Sequence, residues 1–483
     1  MADIHELSAL DLAAAVRSGA VSPEEVVEHT LERAERIGPT VGAFAHLTPE
    51  LAREQAAAAT RRLEQDREDL PPFLGVPVPV KDLTMVAGQP FEMGSAAFRG
   101  NIAPADDGVT IRLREAGTLM VGKTTTPELG LPPYTEPDVA PPARSPWDPR
   151  RSAGGSSGGA AAAVAAGIVP AAHASDGGGS IRIPAAACGL VGLKSTRGRV
   201  SKGPLMVDGA GLTVDGVVTR TVRDTAAFLD VLSRPWPGDH YLLPGPRYSF
   251  LAACDHRPER LRVGVLTQPI NVHEAPVHES SLAAVDRAVR LLEDMGHVVT
   301  PTRVPFTPEE WDAFAPLWAV GSLMAPVPPE REELLVPLTR SMRERGRQYS
   351  GVEYARAVAA VQMLARKAAD VWRDLDVVLT PALATPPPLI GQMRNDADPA
   401  ADFEAQKAFT PWTSPWNMLG APAIALPLHR AEVDGVTLPV GVQLGATRLG
   451  EEELLLGLAA ALEEADPWPT APVQPAVPQD RRG

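Results

Sequence analysis

The sequence predicts an α/β protein built on one large twisted sheet, mostly parallel or mixed, with helices covering both faces. Apolar runs of strand length, such as LRVGVL at 261–266 and DVVLTPA at 376–382, alternate with amphipathic helical stretches along the 483 residues. LRVGVL, the helical stretch 279–295 and HVVT at 297–300 read in succession as a β-α-β unit. A hydrophobic content of 44% beside a charged content of 22% fits a globular chain long enough to bury a sizeable core.

From the N-terminus, residues 8–37 read as two helices. Ser8 can cap the first, which runs to Gly19. Ser22-Pro23-Glu24-Glu25 supplies a cap, a proline at the first helical position and a capping-box glutamate for the second, which Gly38 is expected to end. A polar, Ala-rich helix follows over 49–68. LGVPVPVKDL (74–83) reads as a short extended segment entering a loop, then come a helix over 107–116 and a strand at 118–123. The proline-rich stretch 130–151 reads as an irregular loop of a length usually functional. Two glycine-flanked serine sites follow, GGSSGG at 154–159 and DGGGS at 176–180, separated by an Ala-rich helical run and a short apolar segment, 168–174. Residues 198–220 look irregular, and 221–234 is an amphipathic helix. Helical patterns over 307–325, 330–346 and 350–374 predict a mostly helical insert at about 305–375 that roofs a pocket. Strands at 376–382, 423–427 and 438–446 and a helix at 450–464 complete a single domain, 1–473. The last residues, 474–483, read as a disordered tail.

The net charge of −15 argues against nucleic acid as a partner, because phosphate binding rests on clustered Lys and Arg. The start, MADIHELSALDLAAAV, lacks the basic and apolar regions of a signal peptide, and no long apolar run is of membrane-spanning type. Two cysteines, Cys188 and Cys254, exclude a disulfide framework and a cysteine-type metal site, so a cytoplasmic location is expected. Lysine is scarce, with six against thirty-nine arginines. A lysine retained in such a chain is a candidate for chemistry that needs a proton to be lost, since a buried amine can shift its pKa while guanidinium stays charged.

The paired serine loops are where chemistry is expected. Glycine permits positive φ and close approach, at an entropic cost on folding. A flexible linker would not carry a helix former between its glycine runs, and no G-x-x-x-x-G-K-[ST] phosphate cradle occurs. Gly154 to Gly158 also spells G-x-S-x-G, the nucleophile elbow of α/β-hydrolases, with Ser156 as nucleophile and a histidine such as His429 as base. The preceding ARSPWDPRRSA is unlike the buried strand an elbow requires.

In order and spacing, PVPVKDL (77–83), GKTTTPELGL (122–131), SPWDPRRSAGGSSGG (145–159), SDGGGSIRIPAAACGLVGLK (175–194), GVVTRTVRDTA (216–226), TPALATPP (380–387), PWNMLGAPAIALP (415–427) and LPVGVQLGATRLGEEELL (438–455) resemble the amidase signature family over nearly the whole chain. Ala160 and Lys194-Ser195-Thr196 depart from common family residues away from the reacting groups.

The resemblance implies a Ser–cisSer–Lys triad: Lys81 as base, Ser156 as bridging serine after a cis peptide, and Ser180 as nucleophile. It implies an oxyanion hole from the N–H groups of Gly177, Gly178, Gly179 and Ser180. Around these, Ser157 reads as a turn residue or a hydrogen-bond partner of Lys81, and Asp176 and Arg182 as braces of the loop. Cys188 reads as core. Tyr134, Trp311, Phe314 and Trp318, with Met324, are candidates for an apolar pocket wall, although aromatics at helical spacing also suit a core. The implied activity is hydrolysis of amides of small apolar or aryl type, with esters and carbamates open to the same chemistry, no cofactor and no metal, and room for a homodimer. An amidotransferase subunit acting on charged tRNA is the alternative within the family.

Overall fold

In a computed structural model of the chain, residues 3–65, 68–207, 209–471 and 473–475 are described. The first helix, Ala9–Ser18, is capped by the Ser8 hydroxyl accepting from the Asp11 N–H and ends at Gly19 with φ 79°. The second, Pro23–Val41, opens on the expected Ser22/Glu25 capping box but continues past Gly38 through Pro39 and is closed by Gly42 at φ 58°. The extra turn buries Val41, and that burial offsets the N–H that Pro39 cannot donate. The third helix spans Pro49–Gln65; residues 66–67 of its expected range lie outside the described residues, as does most of the expected C-terminal tail.

Among the described residues, thirteen strands form three sheets. β1 (Phe44–Leu47), β2 (Val80–Lys81) and β3 (Gly122–Thr124) make a small sheet in which β3 pairs with both neighbours. β4 (Arg144–Ser145) and β5 (Asp148–Ser152) form a hairpin inside the stretch expected to be irregular. The remaining eight are β6 (Ala171–Asp176), β7 (Val191–Lys194), β8 (Val214–Thr219), β9 (Arg262–Val265), β10 (Val298–Pro301), β11 (Val377–Pro381), β12 (Ala423–Val433) and β13 (Val436–Ala446), in the spatial order β10-β9-β11-β13-β12-β7-β8-β6. The sheet is mixed. Parallel pairs are confined to the β10-β9-β11 end, where the 279–294 helix makes the expected crossover. The other pairs are antiparallel. All six positions of β8 are buried, so it lacks the alternation that marks a half-exposed strand, which is why 198–220 reads as irregular in sequence.

Between the serine loops, helix Gly158–Ala165 is buried at every residue. Alanine suits it because strand β6 and neighbouring helices approach from all sides. Residues 305–375 are helical and loop, with helices Pro308–Trp311, Phe314–Gly321, Pro337–Gln348 and Gly351–Val371. Capping boxes at Thr307/Glu310 and Ser350/Glu353 start two of them. Helices Pro399–Phe409 and Ser414–Leu419 were not foreseen. Among the described residues no helix is long and apolar enough to cross a membrane.

Candidate active site

Lys81 ends β2 and is fully buried. Its Nζ lies 2.8 Å from Ser156 Oγ and 3.1 Å from Ser175 Oγ. Burial pushes its pKa down to about 7; the carboxylates of Asp176 and Asp215 work against that shift and Lys202 adds to it. The amine is therefore free base in a large fraction of molecules at neutral pH, which guanidinium could not be.

Ser156 follows a cis peptide bond from Gly155. The loop is held so tightly that a Cβ on Gly155 would lie 2.7 Å from the main-chain nitrogen of Tyr134, and one on Gly159 would lie 2.4 Å from that of Thr125. Both are main-chain obstacles that cannot swing aside, so the glycine run serves packing. Ser157 is not bonded to Lys81. Its hydroxyl meets the main chain of Ser175, donating to the carbonyl at 3.3 Å and accepting from the N–H at 3.4 Å. Ser175 instead supplies the second hydroxyl to the amine. Ser175 was missed, although it directly precedes Asp176 in the second loop and shares a strand face with His173.

The second loop turns on a buried ion pair. Asp176 accepts from Arg182 Nε and Nη2, each at 2.9 Å, and from Asn417 Nδ2 at 2.8 Å. Arg182 reaches onward to the Thr413 carbonyl, Gln443 Oε1 and Asn417 Oδ1. Burial alone would raise the Asp176 pKa, but the guanidinium and these donors hold it well below the usual carboxylate range. Asp176 also takes the N–H of Gly179, at 2.8 Å, and that of Ile181, at 3.1 Å. The Gly179 N–H is thus engaged by Asp176, although the resemblance implied it as an oxyanion donor beside those of Gly177 and Gly178. The N–H groups of Gly177, Gly178 and Ser180 meet no acceptor among the described residues. Gly179 itself sits at φ 133°, with the Thr413 hydroxyl 2.5 Å from where a Cβ would stand. Ser180 is 8% exposed at the head of helix Arg182–Cys188.

The helical stretch reaches this loop. Trp311, Phe314 and Trp318 stack in a row, with ring centroids 5.1 and 5.2 Å apart. A Cβ on Gly177 would lie 3.2 Å from the Trp318 ring, and one on Gly178 would lie 3.9 Å from the Phe314 ring. Trp318 is only partly buried. Trp311 lies deeper and donates to Ser414 Oγ at 3.0 Å, while Met324 is exposed. Tyr134 is a buried brace: its hydroxyl donates to Asp402 Oδ2 at 2.7 Å, and burial raises its pKa further out of reach. Gly130, unnoticed in the sequence, is packed so that a Cβ would come 3.3 Å from Ser156 Oγ.

Cys188 is core, buried among alanines, with its thiol pushed up to about 12 by burial. Among the described residues no histidine hydrogen-bonds to either loop serine. His429 sits on β12 in the field of Arg287, Arg290 and Asp466, so Ser156 has a lysine beside it and not an imidazole.

The chain matches the family model described as Amidase over residues 25–455. It is 38% identical over 474 residues to a protein of Synechocystis sp. provisionally named an amidase, covering 96% of this chain and 89% of that one. It is 36% identical over 478 residues to 6-aminohexanoate-cyclic-dimer hydrolase of Paenarthrobacter ureafaciens, covering 94% and 93%. Among solved structures, 6-aminohexanoate cyclic dimer hydrolase complexed with substrate superposes with a TM-score of 0.87 at 32% identity, covering 96% of this chain and 98% of that one. A bacterial aryl acylamidase does so with a TM-score of 0.85 at 27% identity, covering 99% and 100%. With a lysine amine between two glycine-walled serine loops and a family match over most of its length, the chain belongs to the amidase signature family of amide-hydrolysing enzymes.

Proposed function

We propose that Ser180 is the nucleophile of an acyl-enzyme reaction in which Ser156 relays protons to and from Lys81. The observation that carries this reading is the contact of a fully buried Lys81 amine, with its pKa near 7, with Ser156 Oγ at 2.8 Å. Serine attacks a carbonyl efficiently only when a base removes its proton during the attack. As Ser180 Oγ bonds to the amide carbon, its proton passes to Ser156 Oγ while the Ser156 proton passes to Lys81 Nζ. The tetrahedral oxyanion is received by the N–H groups of Gly177, Gly178 and Ser180. Collapse breaks the C–N bond, and the proton returns through Ser156 to the leaving amine. Water then attacks the ester by the same route, and the acid leaves.

The substrate reading is a small amide with an apolar or aryl portion lying under Trp318 and Phe314, beside Gly177 and Gly178. The relatives named for a cyclic 6-aminohexanoate dimer and for aryl acylamides support a compact, weakly polar substrate. Esters and aryl carbamates suit the same acyl-enzyme step. The purified chain, given a panel of anilides, aliphatic amides and aryl carbamates, is expected to cleave anilides without any second subunit. Trp318→Ala is expected to raise KM for aryl substrates more than for acetamide. Failure to cleave any simple amide alone would favour an amidotransferase subunit.

A further inference from the structure

The main chain of Lys81 is gripped by a side chain that neither serine loop supplies. His173, on β6, is fully buried, and its Nδ1 accepts the Lys81 N–H at 3.3 Å. Its own N–H donates to the Pro79 carbonyl at 3.0 Å, so one residue fastens the lysine segment to β6 at two points. With Nδ1 accepting, the ring proton sits on Nε2, which lies 3.4 Å from Asp215 Oδ1 in a long contact. Asp215, on β8, is the register partner of Ser175, the residue whose hydroxyl meets the Lys81 amine. Its other oxygen accepts from Lys202 Nζ at 2.8 Å. The side chains of His173, Asp215 and Lys202 are 0%, 7% and 18% exposed, so their charges act across little water.

We propose that His173, Asp215 and Lys202 are positioning residues for Lys81, the imidazole fixing its main chain and the Asp215–Lys202 pair setting the charge balance its amine feels. The charged groups in play are Asp176 on β6, Asp215 on β8, Lys202 in the segment before β8, and Asp107, at the head of helix Gly108–Glu115, which feels Asp215, Lys202 and His173. Asp176 is paired with Arg182, and the adjoining Asp82 is paired with Lys123 at 2.9 Å. Asp215 favours the ammonium form of Lys81 and Lys202 disfavours it. Removing one or the other therefore moves the amine in opposite directions, a pattern that loss of packing cannot imitate.

The inference rests on Lys81 being the base. The test is the pH profile of kcat/KM for a neutral anilide in the wild type, Lys81→Met, Asp215→Asn and Lys202→Met. The acid limb is expected to move down by on the order of one pH unit in Asp215→Asn and up by a similar amount in Lys202→Met. Lys202 lies at the edge of the cluster, so its variant keeps the test open if Asp215→Asn does not fold. His173→Leu is expected to lower kcat by on the order of 10–100-fold at unchanged KM, with His173→Asn, whose amide oxygen can take the place of Nδ1, restoring most of it. A wild-type limb that disappears with Lys81 but stays fixed in both charge variants overturns this inference and leaves the base reading standing. An active Lys81→Met overturns both.

Discussion

Replacing Lys81 by methionine should abolish turnover and stabilise the fold. The unfolded amine titrates at 10.5 and the buried one at about 7. Between those values the unfolded chain binds the extra proton, so the stability of the native protein rises as pH climbs from 7 towards 10.5. Below pH 7 the amine is charged in both states and the burial penalty is fully present. At about 1.4 kcal/mol per unit, the shift corresponds to about 5 kcal/mol. Methionine keeps the length of the side chain and removes the charge, but it forfeits the contacts to Ser156 and Ser175, each about 1 kcal/mol. The variant should therefore be more stable than wild type by about 2–3 kcal/mol at pH 7, and the difference should reverse as pH rises, leaving the variant less stable by about 1–2 kcal/mol near pH 10.5. Urea unfolding at the two pH values reads this directly, because contributions from other groups such as Lys194 cancel in the difference between the proteins. A variant equally destabilised at both pH values would refute the reasoning.

Arg182→Lys removes the fork that joins Asp176, Thr413, Gln443 and Asn417; a loss of about 3–5 kcal/mol in urea unfolding is expected. Gly155→Ala drives a methyl group into the Tyr134 main chain, and an overpacking cost of roughly 1–3 kcal/mol or more, measured by thermal unfolding, should accompany loss of activity. Tyr134→Phe leaves Asp402 still bonded to the Asn395 N–H and Gln406 Nε2; it should cost about 1–2 kcal/mol and leave KM unchanged, because the hydroxyl it removes donates to Asp402 of helix Pro399–Phe409.

The β9–helix–β10 unit and helix Gly351–Val371 were legible from their apolar periodicity, whereas the stretch expected to be helical over 307–325 breaks into Pro308–Trp311, Phe314–Gly321 and a short turn of 3-10 helix. β8 was harder, since burial on every side erases any pattern, whereas helix Gly158–Ala165, equally buried, was legible from its run of alanines. Lys81 and the two loops stood out by residue type: a rare lysine and glycine runs of unusual density. What the sequence could not give was the direction of each polar group. Ser157 and Ser175 are both serines beside the same loops, and only the turn at Ser156 and the pleat of β6 decide that Ser175 faces the amine. Nor does a glycine run show that the Gly179 N–H is taken by Asp176, three residues earlier. The role of His173 was not legible, because an isolated histidine in an apolar strand carries no spacing signal.

The central claim is that the amine of Lys81, in its uncharged form, activates Ser180 through Ser156. Its most direct test is the rate of covalent labelling by a sulfonyl fluoride followed from pH 5 to 9, with the adduct located by peptide mapping. The claim predicts one adduct, on Ser180, forming at a rate that rises through about pH 7 and falls by roughly 10²–10⁴-fold in Lys81→Met. An adduct on Ser156, or labelling of Ser180 that survives loss of Lys81, would contradict it.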